Sequence, residues 1–243
     1  MPRGNCSRRR RSAAYRASER RQALVARYPN RRDAGRLLAK AVAARAPENP
    51  VVLALPRGGV PVAFEVAKAL AAPLDVLMVR KIGAPGHEEY GIGAVVDGPT
   101  PQVVIDHFTA RMAGADKSYI DRTVARELAE IERRRSAYCT GDPIALAGRT
   151  VVVVDDGVAT GGTAKAALQA LGKSGASRVV LAVPVAPPDC LAPLRALCDE
   201  VITLSTPDPF YAVGAHYRDF TQTEDAEVIR LLAEARRWST APH

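Results

Sequence analysis

The stretch VVVVDDGVATGGTAKAAL, Val151 to Leu168, decides how the rest of the chain is read. Four valines in a row predict a strand buried on both faces, because a half-buried strand alternates apolar with polar residues. Two adjacent carboxylates, Asp155 and Asp156, end that strand. A small-residue loop follows, Gly157, Val158, Ala159, Thr160, Gly161, Gly162 and Thr163, and then a helical stretch, Ala164–Lys173. The glycines let the backbone approach a ligand closely, and Thr160 and Thr163 add hydroxyl donors. The unpaired N–H groups and dipole of the helix's first turn favour an anion, so the loop is built as a phosphate cradle. Carboxylates beside a cradle would repel bare phosphate. Their presence implies Mg²⁺, or a sugar whose hydroxyls need strong acceptors.

Outward from this stretch the same alternation recurs. Apolar runs at Val51–Leu55, Leu74–Val79, Arg178–Val183 and Val201–Leu204 alternate with helical patterns at Val60–Ala71 and Cys190–Leu197. Upstream, Ala34, Leu37, Leu38, Ala41 and Val42 recur at helical spacing from Asp33. The pattern predicts an α/β fold with a central, mostly parallel sheet flanked by helices. Ligands of such sheets bind at the carboxyl ends of the strands. The chain places Arg57-Gly58-Gly59 after the first run, Arg80-Lys81 after the second and Asp155-Asp156 after the third. Two segments interrupt the rhythm. Gly83–Lys117 is rich in Gly and Pro, holds two short β-like pieces (Ile92–Val96 and Val103–Ile105), and precedes a charged helix at Ser118–Arg135; an insertion of this kind reads as a lid. Thr206–Thr221 concentrates the aromatics Phe210, Tyr211, Tyr217 and Phe220.

Several classes are excluded. Thr163 stands where a nucleoside-triphosphate P-loop needs lysine, and the dinucleotide pattern G-x-G-x-x-G is absent. No apolar run approaches the ~20 residues needed to span a bilayer, and the charged N-terminus has no apolar segment behind it to make a secretory signal. The four cysteines show no C-x-x-C spacing, which suits a reducing cytoplasm, with Cys190 and Cys198 expected as small buried hydrophobes. A formal charge of +8 suggests a nucleic-acid partner until its position is read. Residues 1–32 hold 11 of the 34 Lys+Arg and one of the 26 Asp+Glu, which leaves 23 basic against 25 acidic residues in the remainder. The excess therefore belongs to residues 1–30, expected to be a flexible extension, and residues 31–243 form the domain. Nucleic acid enters only as a partner of that extension.

The Asp-Asp…Thr-Gly-Gly-Thr segment closely resembles the signature of type I phosphoribosyltransferases. The strand-end Arg57-Gly58-Gly59 resembles the family's pyrophosphate loop, and Leu77-Met78-Val79-Arg80-Lys81-Ile82-Gly83-Ala84-Pro85-Gly86 resembles the adenine-type segment that opens into a flexible hood, here about residues 83–117. The resemblance spans about Val51 to Phe220 and is nearest to a bacterial branch whose acceptor is not settled. It implies an enzyme that moves the ribosyl carbon of 5-phosphoribosyl 1-pyrophosphate (PRPP), with Mg²⁺, to a nitrogenous base and releases pyrophosphate. It implies that Asp155 and Asp156 accept from the ribose hydroxyls, stabilise an oxocarbenium-like transition state and reach Mg²⁺ through water. Gly157 to Thr163 would hold the 5′-phosphate. Arg57, Gly58, Gly59, Arg80 and Lys81 would hold the pyrophosphate. Glu88 or Glu89 in the hood is a candidate proton donor or acceptor, and Phe210 and Tyr211 are candidates to stack on the acceptor. Ala159 stands where the hypoxanthine/guanine branch carries an aspartate, which argues against a 6-oxopurine and leaves adenine-like, uracil-like or other acceptors open. Relatives are commonly homodimers. The competing reading is a PRPP-sensing regulator that binds RNA or DNA through its basic arm.

Overall fold

A strand that is apolar on both sides can be covered twice. In the computed structural model, which describes residues 28–98, 101–138 and 144–239, five strands form one sheet: β1 (Pro50–Ala54), β2 (Leu74–Val76), β6 (Thr150–Val154), β7 (Arg178–Val185) and β8 (Glu200–Ser205), in the order β2-β1-β6-β7-β8, with the three inner strands buried on both faces and the edge strands β2 and β8 only partly so. Every pairing is parallel, with Val51 opposite Val151 and Val151 opposite Val179. Alternate residues face opposite cores. Val52, Ala54, Val152 and Val154 pack with Phe64, Leu38 and Leu231 on one side. Val51, Leu53, Val151 and Val153 pack with Leu168, Leu171 and Leu194 on the other. The uninterrupted valine run is thus a strand with two buried faces.

The helices supply these faces. α1 (Arg31–Ala43), α2 (Gly59–Leu70) and the C-terminal α7 (Asp225–Ser239) cover the first side; α5 (Gly162–Leu171) and α6 (Pro188–Arg195) cover the second. Asn30 caps α1 by accepting from the Asp33 N–H at 2.9 Å. From β1 the chain crosses through α2 to β2 in one direction; from β6 it crosses through α5 and α6 in the other. The switch point lies between β1 and β6, where such sheets open a crevice beyond the strand ends. The loops bearing Arg57 and Asp155 leave from these two neighbouring strands at one level, since Ala54 pairs with Val154.

The second apolar run differs from the expectation. β2 stops at Val76, and the chain leaves the sheet through Leu77 and Met78. Asp97 holds this exit, its carboxylate accepting from the Met78 N–H at 2.7 Å while its own N–H donates to the Met78 carbonyl at 2.9 Å. Arg80 and Lys81 therefore lie not at a central strand end but inside β3 (Val79–Ala84). β3 pairs antiparallel with β4 (His87–Val96), and β4 with β5 (Gln102–Ile105). This three-stranded sheet takes up most of the segment expected as a hood over about residues 83–117, and it begins earlier, at Val79. Its root packs on α5 through Ala94 and Val96 against Leu168 and Ala170. The short α3 (His107–Met112) and the long α4 (Lys117–Tyr138) follow. No described helix is long and apolar enough to cross a membrane.

Residues 1–27 lie outside the described residues. Tyr28, assigned to the extension by charge alone, is fully buried and donates its hydroxyl to the Pro184 carbonyl at 2.9 Å, so the folded body reaches back to it.

Candidate functional site

The acid pair lies at the switch point. Asp155 accepts the N–H of Asp156 at 2.8 Å. Burial, and then the neighbouring charge of Asp156, hold its carboxyl well above the usual range. Burial also raises Asp156, opposed by Arg31. Two buried acids with one cation beside them form a site short of positive charge. Arg31, the first residue of α1, places Nε 2.7 Å from Asp156 Oδ2. Sequence reasoning missed this residue, because an arginine in an Arg-rich run has no distinguishing spacing.

The Arg57-Gly58-Gly59 turn, which includes a cis Pro56–Arg57 peptide, fits directly against the acids. A Cβ on Gly58 would stand 2.1 Å from Asp156 Oδ2, and one on Gly59 would stand 2.7 Å from the Val154 carbonyl oxygen. Only glycine permits this approach. The turn begins α2, whose first N–H groups are already engaged: Gly59 donates to the Leu55 carbonyl at 3.0 Å, Val60 donates to the Arg57 carbonyl at 3.1 Å, and Pro61 has none to offer. Arg57 itself reaches Asp225 on α7 at 3.4 Å, and the same Asp225 oxygen accepts the Tyr138 hydroxyl. Burial and the Asp225 contact push Tyr138 up to about 12. Neither partner was anticipated, although Val228, Leu231, Leu232 and Ala235 carry the helical spacing that marks α7.

On the other side of the switch point, Gly161 adopts φ +79° and caps α5. The cradle from Gly157 to Thr163 is thus a helix N-terminus. Its Thr160, Gly162 and Thr163 share a cleft of about 300 Å³ with Lys81, Lys165 and Asp106. The structure brings Lys81 to the cleft that Thr160, Gly162 and Thr163 line. Arg80, next along β3, pairs instead with the buried Glu127 of α4 at 2.8 Å. Successive residues of a strand point to opposite sides, and that alone separates the two neighbouring cations.

The aromatic segment closes the site from the C-terminal side. Tyr217 donates its hydroxyl to the Asp156 carbonyl at 2.6 Å. Phe210 stacks on His216 at 5.5 Å between ring centroids, whereas Tyr211 is 79% exposed. Glu88 and Glu89 lie in β4, with Glu88 exposed. Cys190 and Cys198 are half-buried rather than fully buried. The Cys190 thiol donates to the Ala159 carbonyl of the loop at 3.1 Å, since α6 begins directly beside it. Among the described residues no group of three or more His, Cys, Asp and Glu could hold a metal ion.

Comparison with known proteins agrees with this geometry. Two Mycobacterium tuberculosis proteins, from strains CDC 1551 / Oshkosh and ATCC 25618 / H37Rv, are each called "Putative phosphoribosyl transferase". Each is 48% identical over 211 residues, which is 86% of this chain and 47% of the relative. The chain therefore spans about half the length of these curated relatives. The crystal structure of TT1426 from Thermus thermophilus superposes with a TM-score of 0.73 at 47% identity, covering 86% of this chain and 98% of that one. The model of the phosphoribosyl transferase domain matches residues 26–219, a span that holds the acid pair, both glycine turns and the hood, and the chain belongs to that family.

Proposed function

We propose that the protein is a Mg²⁺-dependent phosphoribosyltransferase that moves the 5-phosphoribosyl group of PRPP to a nitrogenous base and releases pyrophosphate. The observation that carries this reading is an acid pair set between the Arg57-Gly58-Gly59 turn, which closes directly on Asp156, and the helix N-terminus that begins at Gly162. PRPP has the matching charge pattern, with phosphate groups at both ends of a sugar that carries two hydroxyls.

The 5′-phosphate lies on the α5 N-terminus with Thr160 and Thr163, and the pyrophosphate lies on the Arg57-Gly58-Gly59 turn against the Arg57 guanidinium. Asp155 and Asp156 accept from the ribose hydroxyls and stabilise positive charge at C1 as it develops. The C1–O bond breaks with its electron pair leaving on pyrophosphate. The acceptor nitrogen supplies the pair for the new C1–N bond and releases its proton to water or a nearby base. Lys81 adds charge from the hood, while Arg80 is committed to Glu127. Tyr211 is the exposed ring available to stack on the acceptor.

The donor set fits Mg²⁺ that arrives with substrate. This ion takes one or two carboxylates plus substrate phosphates rather than a full protein cage, and the two acids lack compensating charge. When bound, it would supply positive charge against the pyrophosphate, and Asp155 and Asp156 would hold it.

The test is pyrophosphate release from PRPP and Mg²⁺ across a panel of bases. Turnover is expected with at least one, and Asp155→Asn with Asp156→Asn is expected to lower it by at least about 10³-fold. Tight PRPP binding without turnover on any base, together with PRPP-dependent retention of nucleic acid, would replace the enzyme with a sensor.

A further inference from the structure

We infer that Arg31 is a positioning residue that fixes the orientation of Asp156 and ties it to the C-terminal aromatic turn; the inference rests on the PRPP reading above. Arg31 makes three contacts, one with the acid pair and two with the C-terminal turn. Its Nε lies 2.7 Å from Asp156 Oδ2, its Nη1 donates to the Thr221 carbonyl at 2.7 Å, and its guanidinium carbon sits 3.8 Å above the centre of the Phe220 ring. The two charged side chains are only 11% and 13% exposed. A Cβ on Gly58 would come within 3.4 Å of Arg31 Nε, so the guanidinium also borders the turn assigned to pyrophosphate.

A buried ion pair contributes little net stability, because desolvation offsets most of the attraction. What this one contributes is direction. A planar guanidinium bonded along two edges and stacked on a ring has one orientation, and it imposes that orientation on the carboxylate it touches. The turn it binds is itself anchored. The Arg218 N–H donates to the Tyr28 carbonyl at 2.9 Å, the Asp219 N–H to the Pro29 carbonyl at 3.0 Å, and the Tyr217 hydroxyl to the Asp156 carbonyl at 2.6 Å. Asp156 is therefore held at its carboxylate and at its backbone by two segments that close on each other. With Oδ2 engaged by Arg31, Oδ1 is the oxygen left to meet a ribose hydroxyl. Lysine at this position keeps the charge but cannot bond Asp156 and Thr221 together while stacking on Phe220.

The test compares the full chain with Arg31→Met, Arg31→Lys and Phe220→Leu, reading the Kd of PRPP with Mg²⁺ by titration calorimetry and the Tm of each free protein. Arg31→Met is expected to weaken PRPP by at least about tenfold, because it leaves a buried carboxylate unpaired and unaimed. Arg31→Lys is expected to recover part of that loss, and Phe220→Leu, which leaves every charge in place, to weaken PRPP about threefold. Wild-type affinity or tighter binding in Arg31→Met overturns the inference and leaves the substrate reading standing. So does a loss that follows Tm while lysine binds no better than methionine. If Arg31→Met does not fold, Phe220→Leu decides, and unchanged affinity there overturns the coupling. Absence of PRPP binding by the wild-type chain overturns the substrate reading and removes the role of Arg31 with it.

Discussion

The two turns that meet at the switch point are both rich in glycine, for opposite reasons. In the turn after β1, Gly58 faces protein: a methyl group there would stand 2.1 Å from a carboxylate oxygen of the other turn. In the turn after β6, Gly162 faces open space, and a Cβ would meet nothing nearer than Thr160 Oγ1 at 4.0 Å. The first glycine is required for the two halves of the site to close on each other. The second leaves room that the protein does not fill. Identical residues after neighbouring strands thus separate a turn that packing closes from a helix start that stays open.

The largest effect that would break this contrast is expected at Gly58→Ala. The acid pair or the turn must move, at a cost of about 1–3 kcal/mol for overpacking, or roughly 3–10 °C in Tm for a chain of this size, and PRPP binding is lost with the geometry. Scanning calorimetry on the free protein checks the first part; an unchanged Tm would mean that the turns are not in contact. Gly162→Ala should do the reverse. Its Tm stays within about 2 °C of wild type or rises slightly, because alanine suits a helix better, while PRPP weakens by about tenfold as the methyl group enters the anion's space. Equal PRPP affinity in this variant would erase the distinction between the two glycines. The smallest effect is expected at Asp225→Asn, which removes the charge but keeps an oxygen for the Tyr138 hydroxyl. The Arg57–Asp225 contact is 3.4 Å long and Asp225 is 58% exposed, so its removal should change stability by less than about 1 kcal/mol and PRPP affinity by less than about threefold. A larger change in affinity would show that α7 aims Arg57, and would make the first turn dependent on a third element.

Much of the acid-pair turn is legible in the sequence because its signals are local. Four valines, two acids and a glycine-threonine loop within one short stretch define a buried strand, a charge and a helix start, and each appears in place. Lys81 and Arg80 show where local reading ends. They are neighbours in sequence and equal in charge, yet one faces the glycine-threonine loop and the other a buried glutamate, because the chain leaves the central sheet at Val76 and starts a new strand. The hood segment reads as an insertion containing β-like pieces, but its sheet depends on pairing between strands that a linear pattern does not specify. Cys190 reads as a small core residue, and its contact with Ala159 arises from where α6 starts relative to a loop some thirty positions earlier.

By itself the sequence determined the alternating runs of the central sheet, the parallel order implied by their alternation, and the acid pair and glycine-rich turns at the strand ends. These follow from hydrophobic period and turn chemistry, which act over a few residues. Only the tertiary structure decided that Arg31 serves Asp156, that Arg57 contacts Asp225, and that Tyr28 belongs to the core rather than to a charged extension. Those contacts join residues 125, 168 and 156 positions apart. Their energies come from desolvation and from orientation within a packed interior, and no local property of an arginine or a tyrosine records them.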